Sequence, residues 1–152
     1  MLRTISIVVL AIVLGSTRPS SSAEDANVIR VDVAGLHSDT GTVNCALFGS
    51  ADGFPLEASK ALRQDLAKIE NGKASCTFRN VTAGDYAVAV FHDENSSGKL
   101  DRNFLGIPKE GVGASNGAVG RFGPPKFDDA RFNYSGGPTV LTINIHYLTA
   151  PL

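Results

Sequence analysis

The sequence predicts an all-β fold: a single Greek-key β-sandwich of about seven strands, with one short helix and a long ordered loop region. Three observations carry this. Short stretches that alternate apolar and polar residues recur along the chain, bounded by Gly, Asn and Pro. The composition is turn-rich, with 16 Gly and 7 Pro and no Trp. A length of 152 residues suits one domain and not two.

The first residues stand apart from that domain. Arg3 gives a positive start, residues 5–15 are an apolar run, and Ser21 and Ala23 occupy the small-x-small positions of a signal-peptidase site. The run is too short to span a bilayer. A secretory signal over residues 1–23 is expected, with a single domain at 24–152 and a periplasmic or extracellular address. No cysteine lies near the cleavage point, which argues against a lipid anchor. Without Arg3 and Arg18 the chain carries 12 basic and 15 acidic side chains, a net charge of −3. That balance argues against nucleic acid as a partner.

The strands are justified in turn. Residues 28–36 alternate Ile29, Val31 and Val33 against Arg30 and Asp32. Residues 42–49 form a second strand, and the short Gly-containing link between the two reads as a hairpin. In residues 54–72 the period changes: Leu62, Leu66 and Ile69 fall at i, i+4 and i+7 before Asn71 and Gly72, which predicts a short helix. Residues 73–81 and 82–92 are the third and fourth strands. Tyr86, two residues after Gly84, suits a tyrosine corner. The last strand, residues 138–148, turns Leu141, Ile143, Ile145 and Tyr147 inward and Thr142, Asn144 and His146 outward. Cys45 and Cys76 both face inward on their strands. In an exported chain they are either a cross-core disulfide or two buried thiols.

Between the fourth strand and the last, residues 93–137 are rich in Gly, Pro and Asn and poor in pattern, which points to function or to hidden elements. The loop that opens this region carries the sharpest chemistry. Counted from Asp93, oxygen-bearing groups recur at alternate positions: Asp93 (1), Asn95 (3), Ser97 (5), the carbonyl of Lys99 (7) and Asp101 (9), with Gly98 at position 6. This is the spacing of an EF-hand calcium loop. Ca²⁺ takes six to eight oxygens, alternate positions converge as the chain coils, and the glycine permits the sharp turn. Leu100, at position 8, is expected to anchor the loop to the core. Position 12 is Phe104 rather than a bidentate Glu, so Glu94, Glu110, Asp128 or Asp129, or water, must complete the sphere. With few carboxylates the expected affinity is weak, roughly 10⁻⁴ to 10⁻³ M, as in extracellular modules. A plain polar turn is the competing reading.

Other signals are weaker. Residues 113–117 spell G-x-S-x-G, but no strand and helix flank Ser115 as a nucleophile elbow requires. His37, His92 and His146 show no zinc spacing and read as surface or rim residues, with His92 a neighbour of the loop. Phe122, Phe127 and Phe132 are expected to pin the long segment to the sandwich. The reading preferred is a non-enzymatic exported domain whose Ca²⁺ loop stiffens a recognition segment at residues 106–132, facing an envelope protein or a glycan. The alternatives are a hydrolase built on His92, Asp93, Glu110 and Ser115, and a structural envelope protein without metal.

The central block carries a resemblance. His92, Asp93, Asn95, Gly98, Leu100 and Asp101 are followed by Gly106, Pro108, Glu110 and Gly111, then by Ser115, Asn116, Phe122, Gly123, Pro124, Pro125, Phe127 and Ala130. In this order the chain resembles a bacterial family of small exported proteins known as domain of unknown function 2141. The resemblance implies export and a transthyretin-like or carboxypeptidase-regulatory-like sandwich. It implies no activity.

Overall fold

The computed structural model describes residues 26–148; the predicted signal segment lies outside the described residues. The described residues form eight strands: β1 (Val28–Ala34), β2 (Thr42–Phe48), β3 (Arg63–Lys68), β4 (Ala74–Arg79), β5 (Gly84–Asp93), β6 (Val112–Ala114), β7 (Phe132–Tyr134) and β8 (Thr139–Asn144). One short helix, α1 (Phe127–Ala130), lies between β6 and β7. One sheet has the order β4-β1-β8 and the other β3-β2-β5-β6, with β7 end to end with β6 along the same edge of β5. The result is an all-β, sandwich-like fold.

The alternation seen in the sequence builds the core. Ile29, Val31 and Val33 of β1 face Val43, Cys45 and Leu47 of β2 and Val88 and Val90 of β5 in one buried cluster. Ile143 and Ile145 join it from the last strand and its continuation. Cys45 and Cys76 are bonded to each other and tie the two sheets together. Tyr86 is buried, and its hydroxyl donates to the Thr82 carbonyl at 2.8 Å, the expected corner.

Three expectations need correction. The predicted β1–β2 hairpin is an arch between the sheets: β1 pairs with β4 and β8, and β2 with β3 and β5. Both strands have an apolar face to bury, and placing them in opposite sheets lets those faces meet. Gly41 makes the arch possible. Its φ is +76°, and a Cβ there would lie 2.0 Å from the Asp93 carbonyl oxygen.

The helix expected within residues 54–72 is instead a 3-10 turn (Ala58–Lys60) followed by edge strand β3. Leu62 and Leu66 are exposed, while Ala67 and Ile69 are buried, so period two wins over the i, i+4 spacing. Pairing with β2 supplies backbone hydrogen bonds that an isolated short helix could not match.

The patternless stretch holds β6, β7, α1 and a 3-10 turn (Ser115–Gly117). Of its three phenylalanines, Phe127 packs on Phe54 (ring centroids 5.8 Å apart) and Phe132 on the main core, but Phe122 is fully exposed.

The outer face of the five-stranded sheet is also covered. Ala46, Phe48 and Ala89 pack against Phe54, Ala58, Ala61 and Phe127 from the loops above. This third layer frames the site described next.

Candidate functional site

Strand β5 sets the site by alternation. Val88, Val90 and His92 point into the sandwich, whereas Ala89, Phe91 and Asp93 point to the outer face. Asp93, 1 % exposed, starts the predicted metal loop. Its Oδ1 accepts the Ser97 N–H at 2.9 Å and its Oδ2 the Gly98 N–H at 2.7 Å. Gly98, at φ +76°, makes that turn without strain.

The loop's other oxygens turn toward one another. Asn95 Oδ1 shares the Ser97 N–H with Asp93, at 3.0 Å. Asn95 Nδ2 donates to Asp101 Oδ2 at 2.8 Å, and Ser97 Oγ donates to the Lys99 carbonyl at 2.9 Å. Positions 3 and 9 are thus linked side chain to side chain, positions 1 and 3 share the backbone N–H of Ser97, and position 5 meets the carbonyl of position 7. Donors of the loop itself, the Asn95 amide and the Ser97 hydroxyl, hold the oxygens that a cation would draw in.

Among the four residues proposed to complete the sphere, Glu110 is the one brought to the loop. It is buried, and its two oxygens accept the N–H groups of Glu94 (3.1 Å) and Asp101 (3.0 Å). One carboxylate therefore clamps both ends of the coil. Burial raises the Glu110 pKa; the two N–H bonds oppose the rise, and the charges of Asp93 and Asp101 add to it. Glu94 turns its side chain away, to His37. Asp128 and Asp129 sit on α1 and do not reach the loop; Asp128 faces Arg131 at 3.9 Å. Leu100 does not anchor in the core but lines a surface groove.

That groove, of about 960 Å³, lies on the outer face of the five-stranded sheet. Asn44, Ala46, Ala89 and Gly113 give it a shallow-chained floor, and segments 55–59 and 98–125 form its walls. Gly98, Lys99 and Leu100 come directly from the loop at residues 93–101 and Arg102 follows it, so the loop is part of the wall. Leu56, Leu105, Ile107, Val119, Phe122 and Leu148 line it, six of the ten exposed large hydrophobic residues among those described. Lys99, Arg102 and Arg121 line it too, and among the described lining residues the one acid is Glu57, which pairs with Lys60 at 3.4 Å.

The alternative catalytic set is dispersed. His92 and Asp93 occupy opposite faces of β5. Ser115 is buried; its Oγ donates to the Ala130 carbonyl at 2.6 Å and accepts the Val88 N–H at 2.9 Å. Val88 lies four residues from His92, about 13 Å along the strand. Ser115 stitches α1 to β5.

His92 is not the rim residue expected but is fully buried. Its Nε2 lies 2.7 Å from the Thr40 carbonyl and its Nδ1 2.7 Å from Tyr147 Oη. His37 stacks on the Tyr147 ring at 3.9 Å. Burial raises the Tyr147 pKa, the His37 N–H bond opposes the rise, and the Glu94 charge adds to it. The inward position of His92 was readable from its phase with Val88 and Val90; its partners, drawn from the arch and the C-terminal segment, were not.

No helix among the described residues is long and apolar enough to cross a membrane. No curated protein and no solved structure matches the chain. A profile of one bacterial family, described as an uncharacterized protein conserved in bacteria (DUF2141), matches residues 31–142. That span includes the loop, the Glu110 clamp and most of the groove wall, and the chain belongs to this family.

Proposed function

We propose that this protein is an exported, non-enzymatic binding domain whose loop at residues 93–101 takes Ca²⁺ and so fixes one wall of a groove for an apolar ligand bearing an anionic group. The observation that carries the ligand class is the groove lining: clustered exposed hydrophobic residues beside Lys99, Arg102 and Arg121. Such a patch on a secreted domain favours an occupant, and its volume falls in the range of small-molecule sites. An apolar lining with a few cations suits a lipid-like carboxylate better than a glycan, which would need more convergent polar groups. Calcium is supported by the oxygen spacing, by the contact between the Asn95 and Asp101 side chains, by the Ser97 N–H that Asp93 and Asn95 share, and by the adjacent Glu110.

The test of the ligand class is a pair of calorimetric titrations, dodecanoate against dodecyltrimethylammonium. The anion is expected to bind at one saturable site. Arg102→Glu with Arg121→Glu should weaken it by about tenfold or more, the effect of roughly 1.4 kcal/mol of lost attraction. Equal binding of both amphiphiles, or of neither, would overturn the assignment.

A further inference from the structure

We propose that His37, His92 and Glu94 form a second metal site, for a divalent transition metal of the Zn²⁺ kind, beside the Ca²⁺ loop and built on a loop side chain, Glu94, that turns away from it. The three residues come from separate places: the β1–β2 arch, the end of β5 and the first residue after it. Each offers one ligand atom, and these atoms all lie within 4.8 Å of one another. His37 Nε2 is 2.9 Å from Glu94 Oε1, and His92 Nδ1 is 3.8 Å from the same oxygen. Donors around a tetrahedral Zn²⁺ with bonds of about 2.0–2.1 Å lie roughly 3.4 Å apart, so the trio itself needs only small adjustments to close on an ion once the Tyr147 hydroxyl moves off His92.

The tautomer of His92 points the right atom inward. A carbonyl oxygen can only accept, so Nε2, 2.7 Å from the Thr40 carbonyl, carries the proton. The lone pair is then on Nδ1, the nitrogen that faces Glu94. A ring N–H fixed to a backbone carbonyl is how ligating imidazoles are generally oriented. Tyr147 Oη–H caps that lone pair now, at 2.7 Å; an ion bound to Nδ1 displaces this hydroxyl, which also accepts the backbone N–H of His37 at 3.2 Å.

Access and selectivity follow from burial and donor type. The side chains of His37 and Glu94 are 46 % and 35 % exposed, so an ion enters from solvent and meets His92 at the base. Two imidazoles and one carboxylate suit Zn²⁺ and its neighbours, whereas Ca²⁺ prefers oxygen alone. Both cysteines are in the disulfide and offer no competing thiolate.

The experiment is titration of the untagged protein with ZnCl₂ by calorimetry, with CaCl₂ held in excess. One saturable site is expected. His37→Ala and Glu94→Gln, both on the exposed side, should each weaken it by at least about tenfold, the lower end of what loss of a supporting group alone does. His146→Ala, in the groove, should leave it unchanged. Co²⁺ in place of Zn²⁺ should give the visible absorption of a low-coordinate site, lost in His37→Ala. No saturable binding, undiminished binding by folded His37→Ala, or a Co²⁺ spectrum like that of the hydrated ion would each overturn the assignment. Excess CaCl₂ keeps this result separate from the fate of the calcium loop.

Discussion

Replacing both cysteines, Cys45→Ala with Cys76→Ala, is expected to lower the unfolding free energy by about 3–4 kcal/mol. The bond joins β2 to β4 across the sandwich and closes a loop with a sequence separation of 31. Its removal frees the unfolded chain to explore conformations that the crosslink forbids. Both side chains are buried, so the substitution also removes sulfur atoms from close packing. For a domain of this size the melting temperature should fall by roughly 10–20 °C. Thermal and urea unfolding of the two proteins measure this, and a loss below about 1 kcal/mol would mean the bond constrains little.

Glu110→Ala should be nearly as damaging. It leaves the N–H groups of Glu94 and Asp101 without their acceptor. Hydrogen bonds to a charged group contribute about 1.5–3 kcal/mol each; with part of the loop open to water, a loss of about 2–4 kcal/mol is expected. Glu110→Gln separates the charge from the contact. The native pKa of Glu110 is raised, so the folded state holds the proton more tightly than the unfolded one. The stability from that proton is fully present below the unfolded value of 4.5 and is lost as pH rises through the raised native pKa. Wild type should therefore lose stability relative to Glu110→Gln across that window in metal-free buffer. Parallel stability–pH curves for the two proteins would contradict the assigned cause. The same excess of negative charge is what a bound cation would relieve.

Much of this was legible in the chain, and what was not has physical causes. The core faces of β1 and β8 follow from alternation, because a half-buried strand admits no other phase. Tyr86 was readable from its place after Gly84. Strand β3 was not, since Leu62 and Leu66 mimic a helical stripe and only pairing with β2 decides against it. Strands β6 and β7 are three residues each and exist because β5 offers them an edge. The loop at residues 93–101 was visible as a pattern, because its ligand-type groups are local. The choice of Glu110 over Glu94, Asp128 and Asp129 was not, because the fold alone places residue 110 against both ends of the coil. The groove was equally hidden: its walls, segments 55–59 and 98–125, are far apart in sequence and meet only over the outer face of the sheet.

The proposed role rests most heavily on calcium, and thermal unfolding of the untagged protein in EDTA, in millimolar CaCl₂ and in MgCl₂ tests it most directly. Ca²⁺ at ten times its Kd should add about 1.4 kcal/mol, a rise of about 5 °C. The rise should be absent with Mg²⁺ and lost in Asp101→Asn, which keeps the shape of the side chain that Asn95 holds. Coincident curves in EDTA and CaCl₂, or a calcium shift that survives in Asp101→Asn, would show that residues 93–101 are a hydrogen-bonded turn and that the groove wall stands without metal.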